Sequence, residues 1–209
     1  MSEILAPCGA MESLTAAVNA GADAVYLGEE YFSARKNADN FTAEQLCDAV
    51  RFCHYSGVKV YVTLNTLVFD REIPLLAKAI ENCAKADVDA FIVQDMGVAR
   101  LARQIVPELP LHASTQMTVN SPEGAIMAKE LGFTRVVLGR ELSLAQIKAI
   151  TESCDIETEL FVNGALCVCI SGQCYMSSVL GGRSGNRGLC AQPCRLDFTS
   201  GDRHNVLSL

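Results

Sequence analysis

Eight short apolar runs divide the chain at intervals of about 25 to 30 residues, and the stretches between them read as helices. The runs are EILAPC, DAVYLG, KVYVTLN, AFIVQD, PLHAST, RVVLG, ETELFVNG and HNVLSL. Strands apolar along their whole length are covered on both faces, and parallel neighbours need helical crossovers, so the pattern predicts βαβ units. The interval suits an α/β chain of the (β/α)8 TIM-barrel type, in which reactive side chains gather at the C-terminal ends of the strands. With 209 residues, half of them hydrophobic, one sizeable core is available, and residues 1–209 are read as a single domain. No helix signal follows HNVLSL, so the barrel is expected to be incomplete at its C-terminus and the chain to be a fragment of a longer one.

Helix boundaries are marked locally. TAEQLCDAVRFCHYSG starts with Thr42 as a cap and stops at Gly57, and SPEGAIMAKELG has Ser121 as cap, Pro122 in the first turn and Gly132 as stop. A doubly wound open sheet is the rival fold, but it calls for a glycine-rich phosphate turn after the first strand, and APCGAMES carries one glycine. The N-terminus lacks a leader pattern and no apolar run approaches the roughly 18 residues of a membrane span, which gives the expectation of a soluble, cytoplasmic protein without a membrane partner.

The net charge of −7 argues against broad coating of nucleic acid. Residues 160–196 nevertheless contain no Asp or Glu while holding Arg183, Arg187 and Arg195, which leaves a local anion site. The same region, the loop 164–195, concentrates thiols in the spacing Cys167-x6-Cys174-x15-Cys190-x3-Cys194, with Cys169 as an extra one. In a chain of this size and character, dense cysteines point to metal or catalysis ahead of a disulfide framework. Four thiolates suit tetrahedral zinc or a cubane iron–sulfur cluster by count, and free thiols or disulfides remain the third option. The other thiols in helical segments, Cys47, Cys53, Cys83 and Cys154, read as small buried apolar residues.

The stretch ELFVNGALCVCISGQCYMSS resembles the signature of the U32 family, the collagenase-like peptidases, through Glu159, Phe161, Gly164, Ala165, Leu166, Cys167, Gly172, Cys174, Met176 and Ser177. LGGRSGNRGLCAQPCR resembles the family's continuation, and GADAVYLG, KVYVTLNTLVFD, VDAFIVQDMG and LHASTQMTVNS are similar to its upstream segments. The resemblance implies a barrel-like N-terminal domain. It also implies oxygen-independent hydroxylation of RNA bases or quinone precursors with a [4Fe-4S] cluster, and prephenate as donor in the RNA branch. Cys167, Cys174, Cys190 and Cys194 are the ligands it implies, whereas Cys8 and Cys169 stand where many relatives have no thiol. RNA capture through a further C-terminal region is part of the same expectation, as is a small anionic co-substrate. The family's inherited name implies a peptidase instead, and a non-catalytic zinc module is the third reading.

Peptidase chemistry needs an activated nucleophile or a metal-bound water. There is no HExxH or GxSxG, and of the three histidines His54 falls in a helix, His204 near the end and His112 on the fifth strand. Polar residues at strand ends supply a candidate pocket: Asn65, Gln94, Asp95, His112, Ser114, Gln116, Arg140, Glu141, Glu159 and Asn163. Of these, His112, Gln116, Asn65, Asp95 and Glu159 are the catalytic candidates. Arg140, Asn163 and Arg183 are the candidates for holding the anionic co-substrate, since guanidinium offers carboxylates a planar fork of donors.

Overall fold

The computed structural model describes residues 2–34, 39–164, 167–199 and 206–207. Seven strands pair in chain order and all in parallel: β1 (Leu5–Pro7), β2 (Ala24–Gly28), β3 (Lys59–Leu64), β4 (Ala90–Val93), β5 (Leu111–Ala113), β6 (Arg135–Val137) and β7 (Glu157–Glu159). The crossovers are α1 (Met11–Asn19), α2 (Ala43–Tyr55), α3 (Ile73–Lys85), α4 (Met96–Ile105), α5 (Pro122–Glu130) and α6 (Leu144–Ser153). The result is the expected TIM-barrel-like α/β architecture as an incomplete barrel.

Alternation along the strands sorts residues between two environments. Val25, Leu27, Val60, Val62, Phe91, Val93, Leu111 and Val136 face outward and merge with Leu14, Leu46, Leu76 and Ile80 of the helices into the main core. Each such side chain contributes roughly 1.5–3 kcal/mol by leaving water. Ala24, Tyr61, Ala90 and Ile92 face inward and form a second cluster inside the barrel. The helices begin where their caps place them: Thr42 Oγ1 accepts the Gln45 amide at 3.2 Å, and Ser121 Oγ accepts that of Gly124 at 3.1 Å. Gly57 and Gly132 stop α2 and α5 with φ of +74° and +86°. Cys53 and Cys83 are fully buried and Cys47 and Cys154 pack against the core, as small apolar residues do. Burial pushes the Cys53 thiol up to about 11.

The sheet curls until Glu3, just before the first strand, reaches the sixth. Glu3 receives hydrogen bonds from Tyr61 Oη of β3 at 2.9 Å and from Arg135 Nη1 of β6 at 2.7 Å. Arg135 also pairs with Glu157 of β7 at 2.7 Å and stands over the Tyr61 ring at 5.2 Å. This network is the floor of the barrel.

The eighth run does not enter that sheet. Within HNVLSL, β9 (Val206–Leu207) pairs antiparallel with β8 (Phe198–Thr199) as a separate two-stranded unit. Between β7 and β8 the chain forms the cysteine-rich segment with one six-residue helix, α7 (Met176–Gly181), in place of a crossover helix along the sheet. An antiparallel pair needs only a short return of the chain, and the apolar run takes that option. Among the described residues, no helix is long and apolar enough to cross a membrane.

Candidate active site and cysteine-rich cap

At the C-terminal ends of the strands, Tyr26, Thr63, Asn65, Ser114, Glu159 and Phe161 line a small cavity of about 40 Å³, room for one water. Buried acceptors gather beside it: Gln94 Oε1, Thr115 Oγ1 and Gln116 Oε1 have no hydrogen-bond partner among the described residues. Buried polar groups are nearly always paired, so a cluster of orphans at one mouth marks where a ligand with N–H or O–H donors completes the set.

The predicted residues divide by what they touch. Glu159 ends β7 with its side chain 15% exposed and 3.4 Å from Arg135. Burial raises its pKa, while Arg135 opposes that effect. Asn65 spends its side-chain oxygen on the Ala34 amide at 2.9 Å, which holds the loop after β2. Asp95 caps α4, accepting the amides of Gly97 at 2.7 Å, Val98 at 3.4 Å and Val68 at 3.2 Å, so its carboxylate organises backbone. His112 lies one layer below the mouth, beside Ile92 and Arg135 in register. Its ring meets that of Tyr61 edge-on at 4.8 Å, and its Nδ1 has no partner among the described residues. Burial, helped by Arg135, pushes its pKa down to about 3. Ser114 is buried, with Oγ accepting the Gln116 amide at 3.3 Å. Arg140 stands over the Phe161 ring at 5.7 Å on the rim. Asn163 and Arg183 are exposed on the segment beyond β7. Ala165, Leu166 and His204 lie outside the described residues.

The cysteine-rich segment folds over the mouth as a cap anchored to three strand–helix loops. Arg187 makes a two-pronged ion pair with Glu72, at 2.6 and 3.0 Å, donates to the Leu67 carbonyl at 2.6 Å, and stacks on Phe69 at 4.3 Å. Its guanidinium holds Glu72 down at about 2. Glu141 accepts both the amide and the hydroxyl of Ser171, at 3.0 and 3.2 Å. Burial works to raise the Glu141 pKa, but these bonds outweigh it and hold it below the usual value. Thr118 donates to the Ser171 carbonyl at 2.8 Å, and next to it Gly172, at φ +81°, lies where a Cβ would overlap the Gln116 carbonyl oxygen. Glu141, a pocket candidate by sequence, is therefore an anchor. By sequence, Gly172 was a residue of the family signature, Arg187 one of three arginines of an acid-free stretch read as a local anion site, and Arg135 only a charge opening an apolar strand; the structure gives Arg187 to Glu72.

The cap carries its thiols at the surface or half-buried, and all ten cysteines are free. Cys169 hydrogen-bonds Cys174 and feels Cys167 nearby; burial and these two neighbours raise its pKa. Cys190 sits against α7, its sulfur accepting the Gln192 amide at 3.4 Å and the Ser177 hydroxyl at 3.9 Å. Cys194 lies in the 3-10 turn Pro193–Arg195. Among the described residues, no three His, Cys, Asp or Glu side chains converge closely enough to hold a metal ion. The donor set thus suits a thiophilic centre, with N–H and O–H donors already aimed at one sulfur, while the four sulfurs are not gathered around a point in this arrangement.

The model of peptidase family U32 matches residues 9–206, nearly the whole chain. The chain belongs to peptidase family U32. A U32 relative, a 23S rRNA 5-hydroxycytidine synthase of Escherichia coli, is 44% identical over 96% of this chain and 30% of that protein. The tRNA hydroxylation protein P1 of Bacillus subtilis is 39% identical over 94% of this chain and 46% of that protein. A collagenase of Porphyromonas gingivalis is 38% identical over 99% of this chain and 52% of that protein. The chain thus spans about a third to a half of the length of these curated relatives. Among solved structures, the U32 peptidase Mk0906 superposes with a TM-score of 0.66 at 19% identity, over 77% of this chain and 68% of that one, which supports the barrel fold of the U32 domain.

Proposed function

We propose that this U32 domain is the catalytic part of an RNA hydroxylase that adds one oxygen atom to a nucleobase. The supporting observation is its identity of 44% and 39% to an rRNA hydroxycytidine synthase and a tRNA hydroxylation protein, over a region that includes both mouth and cap. The orphaned acceptors Gln94 Oε1, Thr115 Oγ1 and Gln116 Oε1 would take the N–H edge of the base, and Glu159, with its raised pKa, would hold or release a proton beside them. Arg140, with Asn163, would hold the carboxylates of a small anionic donor of the prephenate type, while Arg183 stands exposed on the cap. Cys167, Cys174, Cys190 and Cys194 would hold a [4Fe-4S] cluster, one thiolate to each iron, which when bound supplies one-electron chemistry. The cell interior, where RNA and reduced thiols coexist, is the compartment that suits this chemistry.

The peptidase reading is weaker on geometry. His112, buried against Tyr61 with its pKa near 3, is a poor general base at neutral pH, and His54 is paired with Asp89 at 2.9 Å.

The test is nucleoside mass spectrometry of RNA incubated anaerobically with the protein and prephenate, alongside iron, sulfide and zinc assays. Gain of one oxygen mass on a pyrimidine, lost in Cys174→Ser together with iron and sulfide, is the expected result. Zinc without sulfide in protein never exposed to oxygen, or gelatin cleavage with unmodified RNA, would overturn it.

A further inference from the structure

We infer that the outer face of the cap is a holding surface for single-stranded RNA; this rests on the RNA reading above and adds where the strand lies. On this face α7 packs against the 3-10 turn Pro193–Arg195. Together they present Tyr175, Val179, Leu180 and Leu196, between 62% and 81% exposed. Arg183 and Arg195 are exposed beside them, and no carboxylate occurs anywhere in 160–196. Arg187, also in the cap, pairs with Glu72.

Apolar exposure mixed with arginines marks a contact surface, with the exposed Asp197 at its edge, and the mixture here selects the partner. It must be anionic and also offer flat apolar surface. Single-stranded RNA has both, a phosphate per nucleotide for the arginines and unstacked base faces for Tyr175 and the aliphatic side chains. A duplex keeps its bases stacked inside, and an acidic polypeptide offers carboxylates without planar rings. The charge distribution adds direction: in a chain of net charge −7, the acid-free cap is where a polyanion is least repelled. Ser177, on the buried side of α7, donates to the Cys190 sulfur at 3.9 Å and accepts the Ala191 amide at 3.1 Å, so the helix that carries this face is tied to the turn holding Cys190.

The experiment is fluorescence anisotropy of the purified protein with a labelled, unstructured oligouridine across a salt series. The double variant R183E/R195E is expected to bind at least about tenfold more weakly, with a salt slope shallower by about 1.4, the share of two phosphate contacts on a single strand. V179S/L180S is expected to lower affinity a few-fold and leave the slope unchanged, and circular dichroism confirms that both variants fold. Unchanged binding in R183E/R195E overturns the inference. So does a wild-type protein that ignores the oligonucleotide, an RNA duplex bound equally tightly, or polyglutamate or anionic vesicles competing as well as RNA. The two readings fail separately. Binding through this face without hydroxylation sinks only the hydroxylase, and RNA modified by R183E/R195E at unchanged KM sinks only the surface.

Discussion

The two ends of the barrel treat buried polarity in opposite ways. At the floor, Arg135, with a side chain 10% exposed, pairs with Glu3 and Glu157 and Tyr61 completes the set, while Glu159 links it to the mouth and His112 Nδ1, one layer up, is the one orphan beside it among the described residues. At the mouth, buried oxygens of Gln94, Thr115 and Gln116 are left without partners among the described residues, and the covering segment carries thiols and apolar side chains into water. Saturated networks fix a fold, whereas unsaturated ones keep stability in reserve for a ligand. The floor therefore holds the architecture, and the mouth with its cap is the candidate site.

The sharpest way to break this contrast is at the floor. Arg135→Met leaves buried carboxylates uncompensated and is expected to cost about 3–5 kcal/mol in urea unfolding. A loss below about 1 kcal/mol would mean that the floor is no more structural than the surface. Gly172→Ala forces a side chain into the Gln116 carbonyl at a positive φ, at a cost of about 1–3 kcal/mol. Its effect should be local, seen as faster proteolysis within 160–196 while the barrel core keeps its hydrogen-exchange protection.

A third variant tests tension near the mouth. Glu29, buried after β2, has its carboxyl pushed up to about 7 by burial, with Glu30 adding to the effect and Asn82 opposing it, beside the buried Cys83. The folded protein thus holds that proton more tightly than the unfolded chain, and stability falls as pH rises from about 4.5 to about 7. Glu29→Gln should remove the fall, gaining on the order of 1 kcal/mol at pH 8 and nothing at pH 4, read by unfolding at both values. The smallest global effect is expected from Arg187→Met, under about 1 kcal/mol because the pair with Glu72 is partly exposed. Its signature is in pH. Glu72 is held at about 2, so the pair is fully present above about 4.5 and is lost as pH falls toward 2. Cap protection from proteolysis should follow that window in the wild type and be flat in the variant.

Much of this was legible in the chain itself. The seven parallel strands were, because runs such as KVYVTLN and AFIVQD bury both faces and leave no other reading, and the caps at Thr42 and Ser121 set their helices locally. HNVLSL misled because a short apolar run carries no information about its partner: direction and sheet are decided by what precedes it, here a cap in place of a crossover helix. The mouth was legible as a set of strand-end polar residues but not in its division of labour. Asp95 and Glu141 look as reactive as Glu159 until their backbone partners are known, and the bond from Arg187 to Glu72 spans 115 residues. Charge in a sequence shows that a partner is needed; only tertiary contact names it.

The ion pair joining Glu3 to Arg135 bridges 132 residues of chain. During synthesis the first strand therefore leaves the ribosome long before Arg135 exists, and the early strands must persist as an open ribbon whose Glu3 has only Lys59 and Tyr61 of β3 as partners. Locking of the barrel base is a late event, timed by the arrival of β6.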